Sequence, residues 1–299
     1  MTRAAVHRFI DPRTLAALGD LELAARAVVD GFMFGIHPSR LPGPGLEFSQ
    51  YRPYQPGDDL RRVDWRLFAR ADRYWVREAD TATSITVRLV LDTSASMAQA
   101  ERGLAKLDYA RLLAAALALL ALRQGDAVGL YALSDAATRI LPPQRGQRHL
   151  HRVFHLLESL TPAGAWPGWP RLERLFTAGG TRGLTLLISD LCEREEEIRT
   201  VAAKLAALRH DVAVLHVAAR ADVAFDYHGP TTFEELETGR RLELDADAAR
   251  ATYLERFERE AAGLRAGFAE ARVDYARFTL DQPVDLALRQ FLARRARVP

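Results

Sequence analysis

The hydrophobic positions of the chain change their spacing repeatedly after residue 84. Short, nearly continuous apolar runs, the first over residues 85–91, are rich in β-branched and aliphatic side chains, which is typical of strands buried on both faces of a parallel sheet. Longer runs with helical spacing separate them, and the clearest is Lys106–Arg123. This alternation predicts an α/β domain with a doubly wound, mostly parallel sheet flanked by helices.

The same patterns predict the individual elements of the chain. Strands are expected over residues 85–91, 127–133, 184–189, 210–218 and 272–280, with a short edge strand over 137–141 and a hairpin over 233–244. Helices are expected over residues 106–123, 145–160, 171–178, 193–209, 247–271 and 283–295. Upstream, residues 11–34 favour one or two helices, and the proline- and glycine-rich residues 38–45 favour an extended loop. We therefore predict an N-terminal extension over residues 1–80 and an α/β domain over residues 81–299.

Polar side chains directly follow two of the predicted strands. Asp92, Ser94 and Ser96 follow the first strand, and Asp190 follows the strand over 184–189. The carboxyl ends of parallel strands are where open α/β sheets bind ligands, so we expect these four side chains to converge. Carboxylate and hydroxyl oxygens suit Mg²⁺, suit Ca²⁺ less well, and do not make a structural zinc site.

Two motifs carry a resemblance to known families. Residues 92–96, Asp-Thr-Ser-Ala-Ser, resemble the D-x-S-x-S opening of the metal-ion-dependent adhesion site in von Willebrand factor A domains. Residues 45–65 resemble the signature of a bacterial family, domain of unknown function 58, through Gly-Leu-Glu-Phe, Tyr-Arg-Pro-Tyr, Pro-Gly-Asp-Asp and Arg-Arg-Val-Asp-Trp. In that family the signature precedes a von Willebrand A-like domain, and the motifs occur here in that order. The resemblance, which runs from the signature to the last predicted strand, implies the same fold.

The resembled metal site also contains a threonine, in a loop before the third helix. Here the expected position falls on Trp166 or on Ala165, and neither side chain offers an oxygen. Thr161 comes too early, and Thr181 lies at the entry to a strand. We expect Mg²⁺ at Asp92, Ser94, Ser96 and Asp190, with water in the missing position. The alternative is a metal-free site in which the hydroxyls cap the next helix and Asp92 accepts backbone N–H groups.

The signature segment is dense in charged and aromatic side chains. One interpretation is a solvated loop with surface ion pairs, each worth about 0–1 kcal/mol. The other is a fixed polar network that is presented to a partner protein. The residues of this second interpretation are Glu47, Arg52, Asp58, Asp59, Arg61, Asp64 and Trp65. Trp166 is expected to add an apolar rim for a partner beside the metal site, or else to pack in the core under its loop.

Composition narrows the class of protein. The chain has 41 basic and 39 acidic residues, so its net charge of +2 gives no strong field toward nucleic acid. Its single cysteine, Cys192, excludes an intrachain disulfide and fits a reducing compartment. Residues 112–122 form the best apolar run, which is shorter than the ~18 residues of a spanning helix and predicts a buried core helix. The first residues lack the apolar segment of a signal peptide. We therefore expect a cytoplasmic protein without a membrane span.

The motifs favour binding over catalysis. The sequence contains no P-loop, nucleophile elbow or H-E-x-x-H motif, and Ser94 stands where a haloacid dehalogenase phosphotransferase would have its second aspartate. The family resemblance implies a non-enzymatic protein–protein interaction module, an adaptor or co-chaperone that works with a MoxR-type AAA+ ATPase on a client protein. Two alternatives stay open: a metal-free scaffold that binds through the signature loop, and a metal-dependent phosphohydrolase that uses Asp92 and Asp190.

Overall fold

The computed structural model describes residues 11–34, 48–53, 73–79, 84–170, 172–173, 183–191, 195–208, 210–234, 236 and 239–295. The helices are α1 Pro12–Ala16, α2 Leu21–Phe34, α3 Lys106–Arg123, α4 Gln147–Ser159, α5 Glu195–Ala207, α6 Arg220–Ala224, α7 Ala246–Glu270 and α8 Val284–Arg295. The strands are β1 Phe48–Pro53, β2 Trp75–Ala79, β3 Thr86–Asp92, β4 Ala100–Glu101, β5 Leu104–Ala105, β6 Ala127–Leu133, β7 Thr138–Gln144, β8 Gly183–Ser189, β9 Asp211–Ala218, β10 Pro230–Glu234, β11 Arg241–Asp245 and β12 Asp274–Thr279.

The central sheet confirms the predicted fold class. Its order is β12-β9-β8-β3-β6-β7, and only the edge strand β7 runs antiparallel to its neighbour. Counted along the chain, this is the doubly wound order 3-2-1-4-5-6 seen from the other edge. The direction of winding reverses between β3 and β8. The carboxyl ends of these two strands therefore form the crevice where such sheets bind ligands.

The sheet separates two hydrophobic cores because successive side chains of a strand point to opposite faces. In β3, Leu89 and Leu91 enter the core shared with α2, α3, α4 and α8, whereas Val90 enters the core shared with α5 and α7. Gly183, the first residue of β8, lies very close to the backbone of β3, since a Cβ there would lie 2.1 Å from the carbonyl oxygen of Thr86. A glycine is needed at this position for β8 to pair with β3.

Helix α3 is buried along almost its whole length, as the uninterrupted Ala/Leu run predicted. The residues from Leu112 to Ala121 are all at most 9% exposed, because the sheet covers one side and α2, α4 and α8 cover the others. Alanine contributes by keeping the helix narrow enough for neighbours to approach on several sides. Residues 11–34 form two helices, and α2 packs along α3 within the same core.

The edge strand β7 is longer than predicted. The prediction ended the strand at residue 141 because proline cannot donate a ladder hydrogen bond, but β7 continues through Pro142 and Pro143 to Gln144. Proline is tolerated on an edge strand or at a bulge, and the pairing with β6 shifts register between Val128 and Leu130. Pro143 fits there because its partner strand has Gly129, where a Cβ would lie 2.9 Å from the proline ring.

Among the described residues, three antiparallel pairs lie outside the central sheet: β1 with β2, β4 with β5, and β10 with β11. Strands β10 and β11 form the hairpin that the sequence predicted, and β1 pairs with β2 in the register Tyr51 opposite Arg77. The predicted helix over 171–178 lies mostly outside the described residues. Within the part of the chain that is described, no helix has both the length and the apolar character needed to cross a bilayer.

Candidate functional site

A cluster of polar side chains lies at the carboxyl ends of β3 and β8. Asp92 is the last residue of β3, and Asp190 follows the last residue of β8. Both aspartates are buried, with 2% and 6% of their surface exposed. The cluster therefore lies at the switch point of the sheet, where the sequence predicted it.

The turn after β3 brings the two serines to these carboxylates. The backbone N–H of Ser94 donates to Asp92 Oδ1 at 2.9 Å, which folds the chain back before the 3₁₀ turn Ala95–Ala98. The hydroxyl oxygens of Ser94 and Ser96 lie 3.0 Å apart, and Ser96 Oγ donates to Asp190 Oδ1 at 3.2 Å. The four side chains that were predicted as metal ligands thus form one connected hydrogen-bonded group.

Asp92 is held in a desolvated position. Ser189 Oγ donates to Asp92 Oδ2 at 2.6 Å and accepts from the backbone N–H of Leu191 at 3.0 Å. Burial, together with the nearby charge of Asp190, raises the pKa of Asp92 to about 7. The hydrogen bonds from Ser189 and Ser94 oppose this shift without cancelling it.

The first residue of α3 brings a positive charge into the cluster. Lys106 Nζ donates to Asp190 Oδ2 at 3.0 Å and lies 3.2 Å from Asp222 Oδ2. The side chains of Lys106 and Asp190 are 4% and 1% exposed, so this ion pair is removed from water. Asp222, in α6, is 25% exposed and also accepts from Gln99 Nε2 at 2.8 Å.

The loop after α4 closes the site from the side of β6. The N–H of Ala163 donates to the carbonyl of Thr93 at 2.9 Å, and the N–H of Ala95 donates to the carbonyl of Gly164 at 2.7 Å. Asp135, after β6, holds Ala165 through two hydrogen bonds of 2.7 Å. In the resembled adhesion site, the corresponding loop carries the threonine ligand. Here the loop contacts the turn after β3, which contains Ser94 and Ser96 and is called the serine turn below, through backbone atoms.

Trp166 has no surface to offer a partner. It is 3% exposed and packs in the core of the β3–β8 crevice with Val90, Leu133 and Leu187. This corrects the expectation of an exposed apolar rim and agrees with the alternative of core packing under the loop. The indole turns inward because the backbone contacts of Gly164 and Ala165 fix the loop against the two neighbouring turns.

The oxygen atoms of the cluster match only in part the ligands of the Mg²⁺ ion that the resemblance implies. Ser94 Oγ and Ser96 Oγ have the separation of adjacent ligands in an octahedron with bonds of about 2.0–2.1 Å. Two other features disagree. In the described part of the loop after α4 no side-chain oxygen bonds to the cluster, and the Lys106 ammonium already neutralises Asp190. A second cation beside that ammonium would be repelled by it. The residues present therefore do not fit a resident divalent ion.

Residues 50–263 match the family described as Protein of unknown function DUF58. The chain belongs to this family. The DUF58 chain is 32% identical to Uncharacterized protein Rv1480 of Mycobacterium tuberculosis over 262 residues, which are 87% of this chain and 81% of the relative. Uncharacterized protein Mb1516 of Mycobacterium bovis matches with the same identity and coverage. Neither the family description nor the names of these relatives state an activity.

Two solved structures are among those similar to this DUF58 protein. The conserved hypothetical protein BatB from Bacteroides thetaiotaomicron is 17% identical with a TM-score of 0.47, covering 71% of this chain and 99% of that one. The VWA domain of SpRpn10 is 10% identical with a TM-score of 0.41, covering 70% of this chain and 95% of that one.

Several residues of the DUF58 site were not predicted from the sequence. Lys106, Asp222 and Ser189 were missed because each becomes part of the cluster only through the packing of separate elements. One signal was available for Lys106: a lysine at the first position of a helix faces the positive end of the helix dipole, which is unfavourable without a partner carboxylate.

Most of the predicted signature residues of the DUF58 chain lie in the segment between α2 and β2. Glu47, Asp58, Asp59, Arg61, Asp64 and Trp65 lie outside the described residues. Arg52 lies in β1, opposite Val76 of β2. Their role in binding a partner stays a prediction.

An aromatic pocket adjoins the polar cluster. Gln99 and Asp222 line one side of it, and the rings of Phe225, Phe233 and Tyr253 line another. The ring centroids of Phe225 and Tyr253 are 4.3 Å apart, and those of Phe225 and Phe233 are 5.9 Å apart. The hairpin of β10 and β11 supplies part of this wall, so the hairpin lies beside Asp222 and the buried polar cluster at the carboxyl edge of the sheet.

Proposed function

We propose that this DUF58 protein is a non-enzymatic cytoplasmic adaptor that binds a MoxR-type AAA+ ATPase and presents a client protein to it. The fold supports an interaction module, because a von Willebrand A-like domain in a family of unknown function suggests protein binding. The identity of the ATPase follows from the family resemblance alone. The structure contributes the surface on which we place the contact.

The proposed contact surface, here called the hairpin face, consists of Phe233, Leu236, Leu242 and the aromatic pocket. Leu236 is 48% exposed and Leu242 is 58% exposed, on the same hairpin. Adjacent exposed apolar side chains rimmed by polar ones are typical of interaction sites, and a neighbouring pocket can take an anchoring side chain of the partner. This combination of exposed leucines and a pocket is the observation that carries the proposal.

The geometry gives little support to the phosphohydrolase alternative. Asp92 would have to attack a phosphate, but it is 2% exposed and both of its carboxylate oxygens accept hydrogen bonds within the cluster. Asp190, the second residue of that mechanism, is neutralised by Lys106. The scaffold alternative, with binding through the signature loop, stays a prediction.

The test is a binding titration of the purified protein with the MoxR-type ATPase of the same organism. Leu242→Asp is expected to weaken binding at least tenfold, since an anchoring leucine is replaced by a charge that must be desolvated. The matched control is Leu208→Asp, because Leu208 is 47% exposed at the other end of the sheet, after α5. The control should bind as the wild type does.

Three results would contradict the proposal. One is an ATPase that does not bind the wild type. Another is equal weakening by both leucine variants, which would indicate loss of folding in place of a contact. The third is Mg²⁺-dependent phosphate release that Asp92→Ala abolishes, which would establish the enzyme alternative.

A further inference from the structure

We propose that the Lys106 ammonium is a built-in cation that takes the place of the divalent ion at this site. The cluster at the ends of β3 and β8 is then held together without metal. This inference is independent of the partner of the protein, since it concerns only how the carboxylates of the site are neutralised.

The position of Lys106 supports this role. Its Nζ lies 3.0 Å from Asp190 and 3.2 Å from Asp222, so one ammonium joins the end of β8 to α6 and to the start of α3. A lysine is almost never fully buried unless it is paired. At the first position of α3 it also opposes the helix dipole. Both costs are offset only if the two carboxylates are ionised beside it.

The loop after α4 supports the same conclusion independently. In the adhesion site that residues 92–96 resemble, this loop supplies a threonine oxygen. In the described part of the loop here, Ala163 and Gly164 contact the turn after β3 through their backbone, and Trp166 is buried. The loss of an oxygen ligand and the presence of an internal cation are complementary changes. Each lowers the affinity for a metal, and the second supplies the charge that the metal would have supplied.

Removal of the lysine should therefore create a metal site. The oxygens of Ser94 and Ser96 are already 3.0 Å apart, and Ser96 Oγ reaches Asp190 Oδ1 at 3.2 Å. In Lys106→Met these oxygens and the carboxylates lack their cation, which leaves room and negative charge for Mg²⁺ or Mn²⁺. Water would complete the coordination shell.

The experiment compares thermal unfolding and calorimetric titration of the whole protein, with and without about 5 mM MgCl₂ or MnCl₂. For the wild type we expect no metal-dependent shift of Tm and no saturable heat. For Lys106→Met we expect a lower Tm in chelator, a rise of several degrees in metal and saturable binding. Lys106→Arg keeps the charge and is the matched control, so it should not respond to metal.

Adding Asp190→Asn to Lys106→Met should abolish the metal response. If Lys106→Met does not fold even with metal, Lys106→Met/Asp222→Asn restores part of the charge balance and keeps the four oxygen ligands. This double variant should fold and bind metal. Saturable metal binding by the wild type, or a folded lysine-free variant that binds no metal, would overturn the inference.

Discussion

At the scale of single residues, two buried basic side chains contact Asp190 in different ways. Lys106 pairs with its carboxylate, whereas His216 bonds to its backbone and places Nδ1 2.7 Å from the hydroxyl of Tyr275. Burial, reinforced by the charge of Lys106, lowers the pKa of His216 to about 3. His216 is therefore neutral in the folded protein over the pH range in which an unfolded histidine takes up a proton.

This pKa difference predicts a pH dependence of stability. Between pH 6.5 and about pH 3 the unfolded chain binds a proton that the folded His216 does not. The contribution of His216 to stability is therefore complete above pH 6.5 and is lost as the pH decreases, by up to about tenfold in the folding equilibrium constant per pH unit. In His216→Gln this loss should be absent. Urea unfolding at pH 7 and pH 5 should show the stability advantage of the wild type shrinking at the lower pH.

The exposed His155 provides the control, since His155→Gln should leave the pH dependence of unfolding as it is in the wild type. Equal pH dependence of the wild type and His216→Gln would show that His216 titrates in the folded protein as it does in the unfolded chain.

At the scale of elements, the loop after α4 shows how backbone geometry shapes the site. Gly164 has φ +72°, and a Cβ there would lie 2.1 Å from Asp135 Oδ1. The same residue accepts the hydrogen bond from Ala95 in the serine turn. Gly164 thus combines a left-handed backbone with a close approach, and both require glycine.

A pair of glycine substitutions separates these two requirements. Gly19→Ala introduces a side chain at φ +67° into open space, so it should cost about 1 kcal/mol of unfolding free energy. Gly164→Ala adds a clash with Asp135 and Ala136, and it should cost roughly 2–4 kcal/mol. Chemical denaturation measures both. Similar losses in the two variants would mean that the loop relaxes around the new side chain.

At the scale of the whole molecule, the first two helices belong to the core of the α/β domain. Ala25 and Val29 of α2 are fully buried in the core shared with α3, and Arg289 of α8 donates to the carbonyl of Gly31. The predicted domain boundary at residue 80 therefore assigns α2 and α3, which pack against each other, to different domains. The boundary itself stays a prediction, because the connection over residues 54–72 lies outside the described residues.

A truncation tests this packing. A chain that begins at residue 81 loses α1 and α2 and exposes the side of α3 that α2 covers. At about 1–3 kcal/mol for each buried valine or phenylalanine, the loss approaches the 5–15 kcal/mol that stabilises a typical domain. We expect this chain to aggregate or to unfold at a much lower temperature. Equal stability of this chain and the full chain would show that α2 contributes little.

The amino-acid sequence by itself determined the main strands and helices of the α/β domain and the position of the site, but not β1, β2, β4, β5 or α6. The bounds of α3 and β6 agree with their hydrophobic patterns, because period and length depend on local residues. Asp92, Ser94, Ser96 and Asp190 converge as predicted, since parallel strands bring their carboxyl ends to one edge.

Only the tertiary structure decided what neutralises the site and which surfaces remain exposed. Lys106 and Asp222 are distant in sequence and meet because α3 begins at the same edge of the sheet at which α6 lies. Trp166 turned inward because the turns after β3 and β6 fix the backbone of its loop. Such contacts depend on the packing of distant elements, and no local pattern in the sequence encodes them.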